Sequence, residues 1–281
     1  MSIAVKAIRA ILEVEADAPI SVYTGKLVKT LLYTLFKELR LYRGLRGVVS
    51  PIHVSPLFTP GRREWELGEL VAPRYRRGGE GPALQPVELG GEYIVHIGGE
   101  AGLVERAGRL LERVKTPLQV KVGDALVVYR LLGERDVTGD LAGRELGGDR
   151  VTIYFKAPAR FFNVYTASRL PKFSVSAPEV LMTPYMFYRG QPTMTGSLLL
   201  EAGRLLGLLV ETYYVHTTLK PFLVPFNGTR APGIVGKATY IVDTRDDGLK
   251  ARLAAVLSTA EIVGVGESRA NGFGTVAWAP K

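Results

Sequence analysis

The chain has 281 residues, 47% of them hydrophobic, enough for one large domain or two of about 140 residues with packed cores. Its 36 Lys and Arg against 27 Asp and Glu give a formal charge of +9, which favours a polyanionic partner, nucleic acid before an anionic membrane. The absence of cysteine excludes disulfides, thiolate zinc sites, iron–sulfur clusters and thiol catalysis.

Residues 2–15 alternate apolar and polar side chains and predict a strand, not a signal peptide. Asp17, Ala18 and Pro19 break it. Thr24 is then placed to cap a helix to about residue 40, with Leu27, Val28, Leu31, Leu32, Leu35, Phe36 and Leu39 on its apolar stripe. The opposite ridge carries Lys26, Lys29, Tyr33, Lys37 and Arg40 at steps of three and four, and no acid. Solvated helix faces usually mix signs, so this ridge is a candidate polyanion contact; the alternative for Tyr33 is an ordinary boundary tyrosine. Residues 41–47 form a basic connector with Arg43 and Arg46.

Residues 48–58 predict an edge or bulged strand because they hold Pro51 and Pro56. Residues 59–86 predict an irregular insertion, with Arg62, Arg63, Arg74, Arg76 and Arg77 around Trp65 and Tyr75. A strand at 93–97, a helix at 101–114 and a strand or bent hairpin at 118–132 complete a β-α-β-β-α-β unit.

Residues 133–149, rich in Gly and Asp, predict a linker. A strand follows at 150–162, then a loop-like stretch at 163–191 in which cations alternate with aromatics. Residues 196–209 predict a buried apolar helix; Glu201, Arg204 and Glu211 keep 196–214 from being a membrane span. A strand or hairpin arm at 211–225, a strand at 233–243, a helix at 248–260 and a last strand repeat the β-α-β-β-α-β order. The expected fold is α+β, two tandem ferredoxin-like (RRM-like) domains at 1–135 and 148–281, in a cytoplasmic protein. The cleft between two such sheets suits an extended nucleic-acid strand if it is basic and lined with aromatics.

Residues 264–274, GVGESRANGFG, hold four glycines, Arg269 and Phe273. Exposed N–H groups with one arginine suit a phosphate chain, and the alternative is a structural turn that closes a sheet. A dinucleotide-binding loop is excluded, because Arg269 stands at the third glycine position and the turn opens a strand. The segment from Gly233 to Lys237 lacks the spacing of a phosphate-binding loop. The histidines are His53, His96 and His216; His53 is a candidate base, and the competing role for each is a hydrogen-bonded structural residue.

Gly-Val-Gly, five residues, then Gly-Phe-Gly, behind a helix and near the C-terminus, resembles the glycine-rich loop of the CRISPR repeat-processing endoribonucleases, in the RAMP superfamily. The helix bearing Leu31, Leu32 and Tyr33 resembles that family's first helix, and Val54, Ser55, Pro56, Leu57 and Phe58 resemble its "Phe-Ser-Pro-Leu"-like strand. The resemblance implies binding of CRISPR repeat RNA and its cleavage without metal or other cofactor. The substrate's 2′-hydroxyl attacks the adjacent phosphate and leaves a 2′,3′-cyclic phosphate. Such a reaction needs a base, an acid and cations on the phosphorane.

Many family members carry a histidine just after the first helix. Here Tyr42, Arg43 and Arg46 stand in that segment. The candidate catalytic set is therefore Lys26, Lys29, Tyr33 and Arg46, with His53 as the alternative base. The candidate RNA contacts are Gly264, Gly266, Arg269, Gly272, Gly274, Lys37, Arg40, Arg230 and Lys237, with Arg269 expected to matter more than Asn271. Other subunits of a CRISPR effector complex, or a second copy of the chain, are the further partners considered; a membrane is not. Two other readings stay open: a non-catalytic RNA-binding subunit of an effector complex, and a basic scaffold protein with no RNA role.

Overall fold

The computed structural model describes residues 3–36, 49–78, 81–161, 175–212 and 218–281. The first strand, β1 (Val5–Ala16), alternates as its sequence dictates, with Ile8, Ala10, Leu12 and Val14 buried on one face. Helices α1 (Thr24–Leu35) and α2 (Ala101–Leu111) cover that face with Leu27, Leu31, Val104, Ala107 and Leu111. The remaining strands are β2 (Ile52–Val54), β3 (Leu57–Pro60), β4 (Leu67–Val71), β7 (Gly90–Glu100), β8 (Leu118–Val122) and β9 (Ala125–Asp136). They form an antiparallel sheet in the order β4-β3-β7-β1-β9-β8, with β2 also beside β7.

The second sheet repeats the plan. Its strands are β10 (Arg150–Ala159), β11 (Leu209–Glu211), β12 (Leu219–Phe226), β13 (Thr229–Val242) and β14 (Val276–Pro280), in the order β11-β13-β10-β14 with β12 also on β13. Helices α4 (Ala177–Tyr188), α5 (Gly196–Leu206) and α6 (Asp247–Val263) pack on one face of it. Asp246 caps α6, its carboxylate accepting from the Leu249 N–H at 3.0 Å. In each sheet the unit's first strand lies centrally between its third and fourth. That is the tandem ferredoxin-like arrangement.

The two halves meet where the C-terminal end of α6 lies on the helix-free face of the first sheet. Ile262 and Val263 pack with Ala7, Val137, Leu141 and Phe187. Gly98 lets the Ile262 carbonyl come close, since a β-carbon at Gly98 would collide with it.

Several local expectations change. Residues 59–86 are not irregular: they hold β3, β4 and the hairpin β5 (Arg74–Gly78) with β6 (Gly81–Gln85). Part of the 163–191 stretch is the helix α4, buried nearly all round and with Pro184 inside it, so it shows no amphipathic period. The predicted linker holds the end of β9 and a short helix α3 (Thr138–Leu141). Helix α5 is amphipathic, not fully buried, with Leu200 59% exposed. Thr24 does not cap α1; its hydroxyl donates to the Val71 carbonyl at 2.5 Å. Among the described residues no helix is long and apolar enough to cross a membrane.

Candidate active site

The glycine-rich loop leaves α6 at Gly264 and passes through one short turn, Arg269–Asn271, before β14. Gly264, Gly266, Gly272 and Gly274 are all buried. Their backbone is used inside the protein: the N–H of Gly264 donates to Ala260, that of Gly272 to Arg269 and that of Gly274 to Pro158, at 2.9, 3.2 and 2.9 Å. The loop is therefore not an open nest of donors, and the expected direct contacts of these glycines give way to close packing.

Gly272 shows why glycine is required. Its φ is +90°, and a β-carbon there would stand 2.6 Å from the Cα of Gly25 in the first turn of α1. The Tyr23 hydroxyl donates to the Gly272 carbonyl at 2.8 Å, and its ring meets Phe273 at 5.0 Å between centroids. The loop is thus pressed onto the start of α1, backbone on backbone.

Arg269 faces inward. It is 3% exposed, and its guanidinium donates to the carbonyls of Val263 and Ser50 and lies 5.2 Å from the Phe187 ring centre. Desolvation brings its pKa down to about 9. Its side chain pins the loop and does not line a cleft, which corrects the expectation that it is the loop's charged contact. Sequence shows the cation but not which way a tight turn sends it.

His53 is buried as well. Its Nδ1 meets the Arg269 carbonyl at 3.1 Å and its Nε2 meets the Thr275 hydroxyl at 3.2 Å. A carbonyl only accepts, so Nδ1 carries the proton and Nε2 accepts from Thr275. Burial first, then the proximity of His96 and of the Arg269 charge, holds the imidazole neutral, well below its ordinary pKa. His53 is a strut beneath the loop and not a solvent-facing base. His96 donates from Nε2 to the Ile262 carbonyl at 2.8 Å, and burial first, then the Arg9 charge, brings its pKa down to about 3.

What the loop does present is Asn271. The Lys29 ammonium donates to the Asn271 side-chain oxygen and lies 5.1 Å from the centre of the Tyr33 ring. Lys26 precedes Lys29 by one turn on the same ridge, and Lys26, Lys29 and Tyr33 are all half-buried. The structure thus brings Lys26, Lys29 and Tyr33 together at the seam between α1 and the loop. Arg230 and Lys237 lie on β13 instead, both exposed, with Arg230 5.0 Å from the Tyr75 ring centre. Lys37, Arg40, Arg46 and His216 lie outside the described residues.

Asn271 and Gly25 are the residues whose weight the sequence understates. The available signal is a glycine inside the first turn of a helix, where it costs stability unless another backbone must come near. Two ammonium groups and a phenol on one ridge can neutralise a phosphate and donate to its oxygens. Among the described residues no group of three or more His, Asp and Glu side chains is placed to hold a metal ion.

Residues 153–276 match the family described as CRISPR-associated endoribonuclease Cas6. No curated protein matches the chain by sequence. Among solved structures, a Cas6 product complex superposes with a TM-score of 0.65 at 15% identity, covering 99% of this chain and 100% of that one. Thermus thermophilus Cas6 superposes at 0.57 and 15% identity, covering 98% and 99%. The product of a Cas6-related gene from Pyrococcus furiosus does so at 0.55 and 10% identity, again covering 98% and 99%. At these identities the structures share the fold.

Proposed function

We propose that this chain, which belongs through residues 153–276 to the CRISPR-associated endoribonuclease Cas6 family, cuts the repeats of CRISPR transcripts in the cytoplasm by 2′-hydroxyl attack, without a metal ion. The observation that carries the mechanism is the seam where Lys29 is held by Asn271 above the Tyr33 ring. In the reaction a 2′-oxygen bonds to phosphorus and gives up its proton to solvent water. The bond from phosphorus to the 5′-oxygen breaks, and that oxygen takes a proton. Lys26 and Lys29 offset the charge that builds on the phosphorane oxygens, and the Tyr33 hydroxyl donates to one of them or to the departing 5′-oxygen.

The docked loop fixes Lys29 before substrate arrives, so little reorganisation is left to the reaction. Neither His53 nor His96 acts as the base, since both are buried and hold their protons against backbone carbonyls.

Rates on repeat RNA at saturating enzyme test the assignment. Lys29→Ala is expected to slow cleavage about 100-fold, the size of losing one preorganised donor, with RNA affinity nearly kept. Tyr33→Phe slows it less, and the product carries a cyclic phosphate at its 3′ end. Wild-type rates in Lys26→Ala, Lys29→Ala and Tyr33→Phe together would remove the ridge from the chemistry. The burial of both described histidines favours a second reading, RNA binding without cleavage; it predicts tight binding and no product from the wild type.

A further inference from the structure

We infer that the open face of the second sheet is a separate platform for single-stranded RNA. The inference rests on the reading that this chain takes RNA. Among the described residues, helices α4, α5 and α6 cover one face of this sheet. On the other face, the register sets Tyr154 beside Lys237, Thr152 beside Thr239, and Arg150 beside Ile241, which also neighbours Val210.

This face is unusual for exposed sheet surface. Tyr154, Ile241 and Val210 are 36, 39 and 40% exposed. Ile241 and Val210 are neighbours, and the buried Thr152 with its partner Thr239 stands between them and Tyr154. Arg150, beside Ile241, and Lys237, beside Tyr154, are exposed. Among the residues that alternate onto the face are Arg150, Thr152, Tyr154 and Lys156 on β10, Lys237, Thr239 and Ile241 on β13, Val210 on β11, and Ala277 and Ala279 on β14; none of these is acidic. The Thr152 and Thr239 hydroxyls bond to one another at 2.9 Å, which settles the polar centre without charge.

A protein partner of mixed charge would call for acids as well as bases here. Single-stranded RNA offers what the face lacks: negative charge for Arg150 and Lys237, and a base to stack on the Tyr154 ring. Tyr154 stands on the first strand of its β-α-β-β-α-β unit and Lys237 on the third, the central pair of the sheet, where RRM-type sheets stack bases on aromatics. Lys29 and Tyr33 lie on α1 in the first half of the chain, whereas the platform residues lie on strands of the second sheet.

The test is fluorescence anisotropy of the full chain with oligouridine, alongside cleavage of repeat RNA. Tyr154→Ala is expected to weaken oligouridine binding about tenfold, the size of one lost stacking contact, while Tyr154→Phe keeps it. Lys237→Ala is expected to lower the slope of log affinity against log salt by about 0.7. Repeat RNA at saturating Tyr154→Ala enzyme is cut at the wild-type rate. Oligouridine affinity within twofold of wild type in Tyr154→Ala overturns the platform, as does sedimentation showing a dimer that this variant dissolves while RNA affinity stays unchanged. A wild type that binds oligouridine through Tyr154 but cuts no repeat supports the platform and sinks the proposed cleavage instead.

Discussion

Gly25→Ala probes the seam most sharply. A β-carbon at Gly25 would collide with the Asn271 carbonyl oxygen and stand 2.6 Å from the Gly272 Cα. Ordinary carbon–carbon contacts are about 3.5–4.0 Å, so loop and helix must part by about 1 Å. Forcing an extra carbon into packed surroundings costs about 1–3 kcal/mol, and alanine's better helix propensity returns roughly 0.8–1 kcal/mol. The net stability loss is therefore small, about 1 kcal/mol. The functional loss is larger, because the parting carries Asn271 away from Lys29, and a displacement of this size costs about 100-fold in rate. Urea unfolding and single-turnover cleavage measure the two effects separately. Gly203→Ala in α5, where an added β-carbon meets nothing within 4 Å, is the control and should be stabilised with unchanged rate. A Gly25→Ala protein that cuts and unfolds like wild type would show that the loop does not rest on α1.

Three further outcomes follow from the same contacts. Arg269→Ala leaves the Val263 and Ser50 carbonyls without their donor and should lower stability by about 2–3 kcal/mol in urea, with RNA affinity of the folded protein changed little. Asn271→Ala frees Lys29 from its tether and should slow cleavage about 100-fold, as the displaced loop of Gly25→Ala does, while leaving the urea midpoint in place, which urea unfolding and a rate series would check. Acid should destabilise the fold before the carboxylates titrate. His53 and His96 are held neutral, so below pH about 6.5 the unfolded chain binds more protons than the native one. That stability is whole above this pH and falls by about 1.4 kcal/mol per unit per histidine on the way down, for His96 until about pH 3. Thermal melts between pH 7 and 5 should show the slope, and His96→Gln should flatten it.

The doubled ferredoxin-like order is legible in the sequence because its strands alternate and its helices carry apolar stripes, patterns that burial on one face imposes. Where burial is nearly complete the pattern vanishes, and α4 reads as loop: apolar all round, with Pro184 inside. The strands β3 to β6 escape for another reason. Their alternation is short and interrupted by arginines, and it shows only once β3 pairs with β4, β5 with β6, and β3 with β7. In the site, the ridge of Lys26, Lys29 and Tyr33 follows from helical spacing alone. The inward turn of Arg269 does not, since nothing local distinguishes a cation that grips a ligand from one that grips two carbonyls. The glycines are legible as a motif but not as a purpose: they serve backbone contact with Gly25, His53 and Arg160 rather than an open anion site.

The central claim is that repeat RNA is cut by its own 2′-hydroxyl on a basic ridge. Incubating the full chain with repeat RNA in excess EDTA, beside the same RNA with a single 2′-deoxy at the cut site, tests it directly. The account predicts full cleavage of the first and none of the second. Cleavage that needs added metal, or that survives the deoxy substitution, would contradict it.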